Sequence, residues 1–158
     1  MPETNPFVGL RNRLLQAIAL NAPGAMSVRV RLHRWRGVEI GQNVWIGHQV
    51  LLEGSYPELV HIGSNVTISI RATIIAHFRE HRGVWIEDDV FVGPCACILP
   101  AVRLGKGCVV TAGSVVTSSV GPMTVVQGNP ARPVARCGVP MGLQTTTKEF
   151  IRSLVPIR

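Results

Sequence analysis

No apolar run in this chain of 158 residues approaches the roughly 20 residues that a helix needs to cross a bilayer, and the N-terminus lacks the apolar core of a signal peptide. Cysteine is scarce, and because aliphatic residues supply a core, the four cysteines do not indicate a secreted disulfide framework. Cys95 and Cys97 also lack the spacing of a zinc knuckle. We therefore predict a cytoplasmic protein with reduced cysteines and no metal.

Acidic residues are few as well, nine against 16 lysines and arginines, and the charges are unevenly placed. Residues 1–36 carry a net charge of +5, residues 37–102 of −4 and residues 103–158 of +6. Basic ends favour a nucleic acid, an anionic membrane or a phosphorylated ligand as partner. No nucleic-acid-binding motif accompanies them, so we expect no nucleic acid and favour a phosphorylated small molecule.

The sequence is rich in a six-residue repeat. From Val38 to Val116 an aliphatic residue returns at every sixth position, with a small or branched residue two positions before it. The repeat is broken around residues 54–57 and again at residues 77–83, where one rung is replaced. A period of six does not match the helical turn of 3.6 residues, whereas alternate residues of a strand share one face. The repeat positions are Ile40, Ile46, Leu52, Ile62, Ile68, Ile74, Ile86, Val92, Ile98, Leu104, Val110 and Val116.

Six residues make one short strand and one corner, and three such sides close a triangular coil of about eighteen residues. The period therefore predicts an all-β fold, a parallel β-solenoid of the hexapeptide type. Glycine directly follows five of the repeat residues, where we expect it to let the chain turn without a Cβ penalty. These glycines are Gly41, Gly47, Gly63, Gly93 and Gly105.

The patterns divide the chain into a basic helical arm over residues 1–36, a β-helix domain over residues 37–136 and a tail over residues 137–158 that includes a short helix. In the arm, Asn5 and Pro6 are a good helix start. Apolar residues then recur at helical spacing, and we favour a helix that caps the open end of the core. The alternative is an interfacial helix in peripheral contact with an anionic membrane. The stripe consists of Phe7, Leu10, Leu14 and Ile18.

In the tail, Thr146 to Glu149 have the spacing of a capping box. Phe150, Ile151 and Leu154 follow as the apolar residues of a short amphipathic helix. We expect this helix to pack over an end of the solenoid or on a neighbouring subunit.

The second break is the first place to look for chemistry, because the outer positions of the coils are mostly polar or small. Its loop contains His77, Glu80 and His81 together with two arginines. The imidazole of histidine titrates near pH 6.5 and can take a proton from an attacking hydroxyl or amine. The first break lies one coil earlier, and its Glu53 and Tyr56 are candidates to line an acceptor pocket, as is Glu80.

Residues 38–136 resemble the left-handed β-helix acyltransferases with hexapeptide repeats, a group that includes serine, galactoside, maltose and lipopolysaccharide O-acetyltransferases. The resemblance rests on the repeat and on the stretches Ile75–His81, Thr111–Thr117 and Gly128–Arg132. It implies a left-handed coil and transfer of an acetyl or other short acyl group from acyl-CoA to a hydroxyl. The basic arm is similar to that of enzymes that acetylate sugars for surface polysaccharides, which favours a sugar acceptor.

The resemblance also implies roles for single residues. His77 stands where these enzymes keep the general base, and His81 is the second candidate. The family works as a homotrimer with active sites between subunits, where acetyl-CoA lies along the later coils. Pantetheine contacts are implied near Ala112 and Gly113, in the segment that ends at Thr117.

The phosphate contacts of CoA are implied at Arg132. Where relatives often have a lysine after the threonine of this segment, the chain has Ser118, which removes one expected phosphate partner. The candidates to replace that lysine are Arg103, Lys106 and Arg136.

Two rival interpretations remain from the sequence. A metalloenzyme similar to the γ-class carbonic anhydrases needs three histidines on neighbouring coils, but the coil after the loop offers none, and His48 and His61 are expected on the surface. A non-catalytic trimeric scaffold is the other rival. The histidine loop and the segment Gly128–Arg132 argue against it.

Overall fold

A computed structural model describes residues 6–79 and 81–157. Strands of two or three residues coil into about four turns of a left-handed parallel β-helix, as the repeat and the resemblance predict. The strands of the coils are β1 (Glu39–Ile40), β2 (Trp45–Ile46), β3 (Leu51–Leu52), β4 (Val60–Ile62), β5 (Thr67–Ile68), β6 (Thr73–Ile74), β7 (Val84–Ile86), β8 (Phe91–Val92), β9 (Cys97–Ile98), β10 (Arg103–Leu104), β11 (Val109–Val110) and β12 (Val115–Val116).

Every third strand belongs to the same face of the triangular coil. Sheet A contains β1, β4, β7 and β10, sheet C contains β3, β6, β9 and β12, and β2, β5, β8 and β11 lie in sheet B. All pairs between these strands are parallel, since each coil repeats the direction of the last.

Strand pairing shows where the two breaks lie. Trp85 pairs with Arg103, 18 residues later, but Glu39 pairs with His61, 22 residues later, and His61 pairs with Trp85, 24 residues later. The first break therefore adds four residues and the second adds six, and both insertions lie at the corner where sheet C passes into sheet A. The expectation that one rung is replaced is wrong, because β6 is followed directly by β7 in the next sheet.

The interior of the coil is filled by the repeat residues and their smaller partners. All repeat positions except the partly buried Ile40 are buried, and so are the residues two positions before them, including Cys108 and Ser114. Burying an aliphatic side chain of this size contributes about 1.5–3 kcal/mol. The repeat therefore stabilises the fold and leaves the corners available for function.

The corner glycines serve a different purpose from the one that the sequence suggested. A Cβ on Gly93 would lie 2.6 Å from the backbone nitrogen of Ala112 in the next coil, and one on Gly41 would lie 2.7 Å from the carbonyl carbon of Gly63. The left-handed backbone occurs two residues later, for example at Asn43 with a φ of 54°. The prediction that these glycines turn the corner is wrong, since they instead permit close approach of successive coils.

The N-terminal end is closed by two helices, α1 (Pro6–Asn21) and α2 (Val28–Arg36), which pack on each other and on the first coil. Val30 of α2 joins the core of the solenoid. In contrast, the buried side of α1 consists of Asn12, Gln16 and Ala19. The helix therefore lies over the end of the core, as predicted, but it does so through its polar side. The residues of its apolar stripe are exposed: Phe7 by 80%, Leu10 by 67%, Leu14 by 60% and Ile18 by 48%.

After the last coil, β13 (Thr124–Gly128) extends sheet B, β14 (Ala131–Cys137) pairs antiparallel with β13, and β15 (Leu154–Pro156) pairs antiparallel with β14. Between them lies α3 (Thr147–Arg152), whose N-cap Thr146 accepts a hydrogen bond from the Glu149 N–H, as the capping box predicts. Phe150 packs with Val109 and Cys137. The helix therefore lies on the flank of sheet B.

All four cysteines are free thiols in the structure. Among the described residues, none of the helices combines the length and the apolar character that a bilayer span requires.

Candidate active site

The corner between sheets C and A brings together residues from both breaks. The ring of Tyr56 lies 4.9 Å from that of His77 in an edge arrangement and 4.2 Å from that of His81, and the two histidine rings are 6.4 Å apart. The second loop leaves and rejoins the coil at one place, where the Gly83 N–H donates to the Ala76 carbonyl at 3.0 Å. The stacking of two insertions at one corner thus assembles a histidine cluster.

Glu53 lies beneath this cluster and contacts His77. Its carboxylate Oε2 is 2.8 Å from His77 Nδ1, although the N–H direction falls outside hydrogen-bond geometry, and Nδ1 has no other hydrogen-bond partner within the described residues. The side chain of Glu53 is only 2% exposed, whereas that of His77 is 31% exposed. One ring nitrogen of His77 therefore faces a buried carboxylate while part of the ring is open to solvent.

The Glu53 carboxylate is held by the backbone. Oε1 accepts from the N–H groups of Ser55 at 2.8 Å and Tyr56 at 3.3 Å, and Oε2 accepts from the Ala76 N–H at 2.9 Å. Burial by itself raises the pKa of Glu53, but the contact with His77 and the hydrogen bonds from three backbone N–H groups outweigh it and lower the pKa below its ordinary value. Glu53 is therefore an anion next to His77 at neutral pH.

A buried arginine on α2 supports the strand end that carries Glu53. Arg36 donates to the carbonyl of Leu52 at 2.9 Å, to the carbonyl of Glu53 and to the side chain of Gln16 on α1, and it lies 3.0 Å from His33 Nδ1. Burial lowers the pKa of Arg36 to about 10, while the charge of Glu53 acts in the opposite direction. No sequence pattern indicates this network, because Gln16, Arg36 and Glu53 are far apart in the chain.

His33 is fully buried and accepts from Arg36, so it must stay neutral in the folded protein. Burial, followed by the charges of Arg36 and Arg29, lowers its pKa from 6.5 to about 3. The unfolded chain binds a proton below pH 6.5 that the folded chain does not bind until about pH 3. The stability associated with neutral His33 is therefore present above pH 6.5 and is lost as the pH falls toward 3.

We expect His33→Gln, which keeps a hydrogen-bond acceptor but cannot titrate, to flatten the loss of unfolding free energy on acidification. His33 contributes a slope of about 1.4 kcal/mol per pH unit. Urea unfolding between about pH 6 and pH 5 isolates this slope, since Glu53 titrates lower. His48→Gln, at an exposed histidine, is the matched control. A His33→Gln protein that kept the parental slope would contradict the assignment.

A cavity of about 630 Å³ opens beside the histidine loop. Its walls come from both flanks of His77, with Ile75 and Phe78, and from the next two coils, with Leu99 and Thr117. Arg79 and Arg82 line it as well, and the Arg79 guanidinium lies 5.7 Å from the Phe78 ring centre. A mostly apolar cavity with two cations suits a ligand that has both an acyl or alkyl part and negative charge.

The residues that we expected to contact CoA fall into separate groups. Ala112 and Gly113 are exposed at the corner between sheets B and C. The turn before β14 lies close to this corner, because the Gly128 N–H donates to Ser114 Oγ at 3.1 Å. Arg132, near the start of β14, therefore belongs to the same region. Thr117 instead lines the cavity beside His77.

The other phosphate candidates lie elsewhere and have partners. Lys106 Nζ is 3.7 Å from Asp89, and Arg103 is 2.9 Å from Glu87. Arg136 lies at the opposite end of β13 from Arg132 and is 3.4 Å from the Pro122 carbonyl. The structure therefore brings His77, His81, Tyr56 and Glu53 together, but not all of the basic residues. Glu80 lies outside the described residues.

A second groove, of about 380 Å³, runs along the outer face of sheet A. Its polar groups already have partners: His61 Nδ1 is 2.6 Å from Glu39, its ring stacks on Trp85 at 5.4 Å, and Arg103 pairs with Glu87. The histidine corner is the better candidate site, because its histidines lie next to a cavity whose wall includes Phe78, the neighbour of His77 in the chain. Within residues 6–79 and 81–157, no group of three or more His, Cys, Asp or Glu side chains could hold a metal ion.

Comparison with known proteins identifies relatives of the same architecture. The sequence model of a family described as "Bacterial transferase hexapeptide (six repeats)" matches residues 83–118. A Bacillus subtilis (strain 168) protein named "Putative acetyltransferase YvoF" is 30% identical over 132 residues, which cover 80% of this chain and 67% of that protein.

A second relative is the 2,3,4,5-tetrahydropyridine-2,6-dicarboxylate N-acetyltransferase of Staphylococcus aureus (strain bovine RF122 / ET3-1). It is 38% identical over 94 residues, 58% of this chain and 38% of that protein. The chain thus spans two thirds of the Bacillus relative but well under half of the Staphylococcus enzyme.

Two solved structures share the fold. A maltose O-acetyltransferase from Clostridium difficile 630 has a TM-score of 0.60 at 22% identity, with 83% of this chain and 84% of that chain covered. The hexapeptide-repeat acetyltransferase VCA0836 from Vibrio cholerae O1 biovar eltor, complexed with acetyl coenzyme A, also has a TM-score of 0.60, at 21% identity and with 83% and 87% covered.

Proposed function

The chain belongs to the hexapeptide-repeat acetyltransferases, and from this premise we propose that it transfers an acetyl group from acetyl-CoA to a hydroxyl of a small acceptor, a sugar, with His77 as the general base. The observation that carries the proposal is the contact between His77 and the buried Glu53 carboxylate beside a cavity. A carboxylate facing one ring nitrogen of a partly exposed histidine is the arrangement that prepares the other nitrogen to take a proton.

The first step follows from the tautomer of His77. Glu53 favours the proton on Nδ1, because a carboxylate only accepts hydrogen bonds. Nε2 is then unprotonated and removes the proton of the acceptor hydroxyl as its oxygen attacks the thioester carbonyl. Backbone N–H groups stabilise the oxyanion of the tetrahedral intermediate.

The second step expels the CoA thiolate. The C–S bond breaks, the acetyl ester remains on the acceptor, and the thiolate receives the proton that His77 took from the hydroxyl. No covalent enzyme intermediate forms. The negative charge of Glu53 stabilises the imidazolium between the two steps, which is the time when His77 is cationic.

The donor site is proposed to combine the apolar cavity with the basic end of the chain. The reactive end of acetyl-CoA lies beside His77, near Thr117, and pantetheine passes the backbone of Ala112 and Gly113. Arg132 contacts phosphate. The complex of VCA0836 with acetyl coenzyme A supports this choice of donor. Lys106 and Arg136 lie at the other end of β13. They could contact the nucleotide of CoA only if they belong to a second subunit that borders the donor site.

The acceptor is proposed to bind on the side of the first break, where Tyr56 packs against both histidine rings. Glu80 is proposed as a further acceptor contact. Glu53 is better suited to orient His77 than to bind the acceptor, since its carboxylate is buried and fully engaged. The structural similarity to a maltose O-acetyltransferase supports a sugar as the acceptor. Because another relative is an N-acetyltransferase, amines are also included among the acceptors to be tested.

We also infer a cytoplasmic homotrimer with active sites between subunits. Phe78 is 72% exposed at the rim of the cavity, and Ile75 and Leu99 in its wall are only partly buried. Apolar residues at the edge of an open cavity suit coverage by a neighbouring subunit.

The decisive experiment is to incubate the purified chain with acetyl-CoA and single members of a panel of monosaccharides, nucleotide-sugars and amino acids, while free thiol is followed. We expect thiol release that depends on a sugar acceptor. Release with amines alone would indicate an N-acetyltransferase. A chain that neither binds CoA in calorimetry nor releases thiol with any acceptor would be a scaffold.

A further inference from the structure

Helix α1 has an inverted placement of its apolar and polar sides. Its inner face is polar: Gln16 is 8% exposed and donates to the Val50 carbonyl at 3.2 Å, and it accepts from Arg36. Its outer face carries Leu10 and Leu14, which are 67% and 60% exposed, and Ile18, which is 48% exposed. A helix that stabilises the fold through its polar side leaves an apolar stripe for another occupant.

The charges around this stripe identify the occupant. From residue 6 to residue 38 the sequence contains six arginines and no acid. Arg11 and Arg13 on α1 and Arg31 on α2 are exposed, whereas Arg34, which is also exposed, donates to the carbonyls of Ile40 and Gly41. An exposed apolar stripe on a helix that carries arginines and no acid is the composition of helices that lie in the interface of an anionic bilayer.

A second copy of this chain is a poorer fit. Two such arms face to face would bring arginines against arginines. The acidic middle of another copy is a weak attraction for the arm, because three of its acids, Glu39, Glu87 and Asp89, already pair with His61, Arg103 and Lys106.

We propose that the stripe of Leu10, Leu14 and Ile18 docks on the surface of a membrane rich in anionic phospholipid, with the exposed arginines on the lipid phosphates. The arm is fixed to the solenoid, since Gln16 bonds Val50 and the Gln49 N–H donates to the Leu20 carbonyl at 2.8 Å. Docking would therefore hold the whole solenoid in one orientation on the bilayer. This inference does not depend on the proposed acetyl transfer.

The test is co-sedimentation of the full chain with vesicles of phosphatidylglycerol and phosphatidylcholine, and with vesicles of phosphatidylcholine alone. We expect binding to the anionic vesicles that weakens as salt is raised, and little binding to the neutral ones. The double variant L10Q/L14Q should lower the apparent affinity by about tenfold or more. Arg13→Glu should lower it as well.

The matched control is L143Q/I151Q, because Leu143 and Ile151 are similarly exposed, by 55% and 60%, outside the arm. It should bind as the parental chain does, and all variants should keep the parental unfolding temperature. Parental binding by L10Q/L14Q would overturn the proposal. The proposal would also be overturned if the parental chain did not bind the vesicles and L10Q/L14Q had a lower oligomeric mass. That pair of results would make the stripe a subunit contact. Thiol release with a soluble acceptor is measured separately and reports on the chemistry alone.

Discussion

We expect replacement of His77 by alanine to lower kcat by roughly 10²- to 10⁴-fold, the range for removal of a general base. The KM for acetyl-CoA changes little, because the cavity walls beside the histidine remain. The fold is retained, since His77 is partly exposed and Glu53 keeps its three backbone donors. Initial rates of thiol release at saturating acetyl-CoA and acceptor measure the loss, and thermal unfolding confirms the fold.

Two histidine variants control this result. His81→Ala is expected to cost less, because His81 packs on Tyr56 and, of the two histidines of the loop, only His77 has a carboxylate beside it among the described residues. His48→Ala, at an exposed histidine of the first coil, keeps the parental rate. Full activity of His77→Ala would remove it from the mechanism, and a larger loss in His81→Ala would transfer the role of base to His81.

The fold could be predicted from the sequence because the repeat acts through burial alone. Every sixth position must face the interior of a three-sided coil, and Ile74, Ile98 and Val116 do so. The hand of the coil does not follow from this periodicity and came from the resemblance. The role of the corner glycines does not follow from the repeat, because their constraint arises from the adjacent coil and not from the local turn.

The helix α1 illustrates a second limit of sequence patterns. Helical spacing correctly identified Leu10, Leu14 and Ile18 as one stripe, but a stripe does not indicate what it faces. Gln16 determines which side of α1 is buried, because its side chain donates a hydrogen bond to the Val50 carbonyl and accepts one from the Arg36 guanidinium. Polar contacts with distant residues outweighed the apolar face.

The candidate site was predicted in part. His77 and Tyr56 were singled out as residues of the two breaks, and the structure places them in contact. The contact of Glu53 with His77 could not be foreseen, because it depends on both insertions lying at the same corner in successive coils. The insertions of four and six residues are visible in the sequence. Only the strand pairing shows that they lie at the same corner of successive coils.

Glu53→Gln is expected to lower kcat by roughly 10²- to 10⁴-fold, through the tautomer of His77. All four contacts of the carboxylate are with donors, and a carboxamide has one acceptor oxygen. If the oxygen stays on the N–H groups of Ser55 and Tyr56, the amide nitrogen faces His77 and donates to Nδ1. The proton of the ring then moves to Nε2, which can no longer act as a base.

The same variant is expected to lose about 1–3 kcal/mol of unfolding free energy, because at least one buried backbone N–H loses its acceptor. Glu58→Gln is the matched control, since Glu58 is an exposed acid in the same break. Steady-state kinetics separate a positioning role from a structural one: misdirection of the base lowers kcat and leaves the KM for acetyl-CoA nearly unchanged. Glu53→Asp should recover part of kcat. A Glu53→Gln enzyme with parental kcat, and with only its stability reduced, would show that the carboxylate supports the corner without orienting the base.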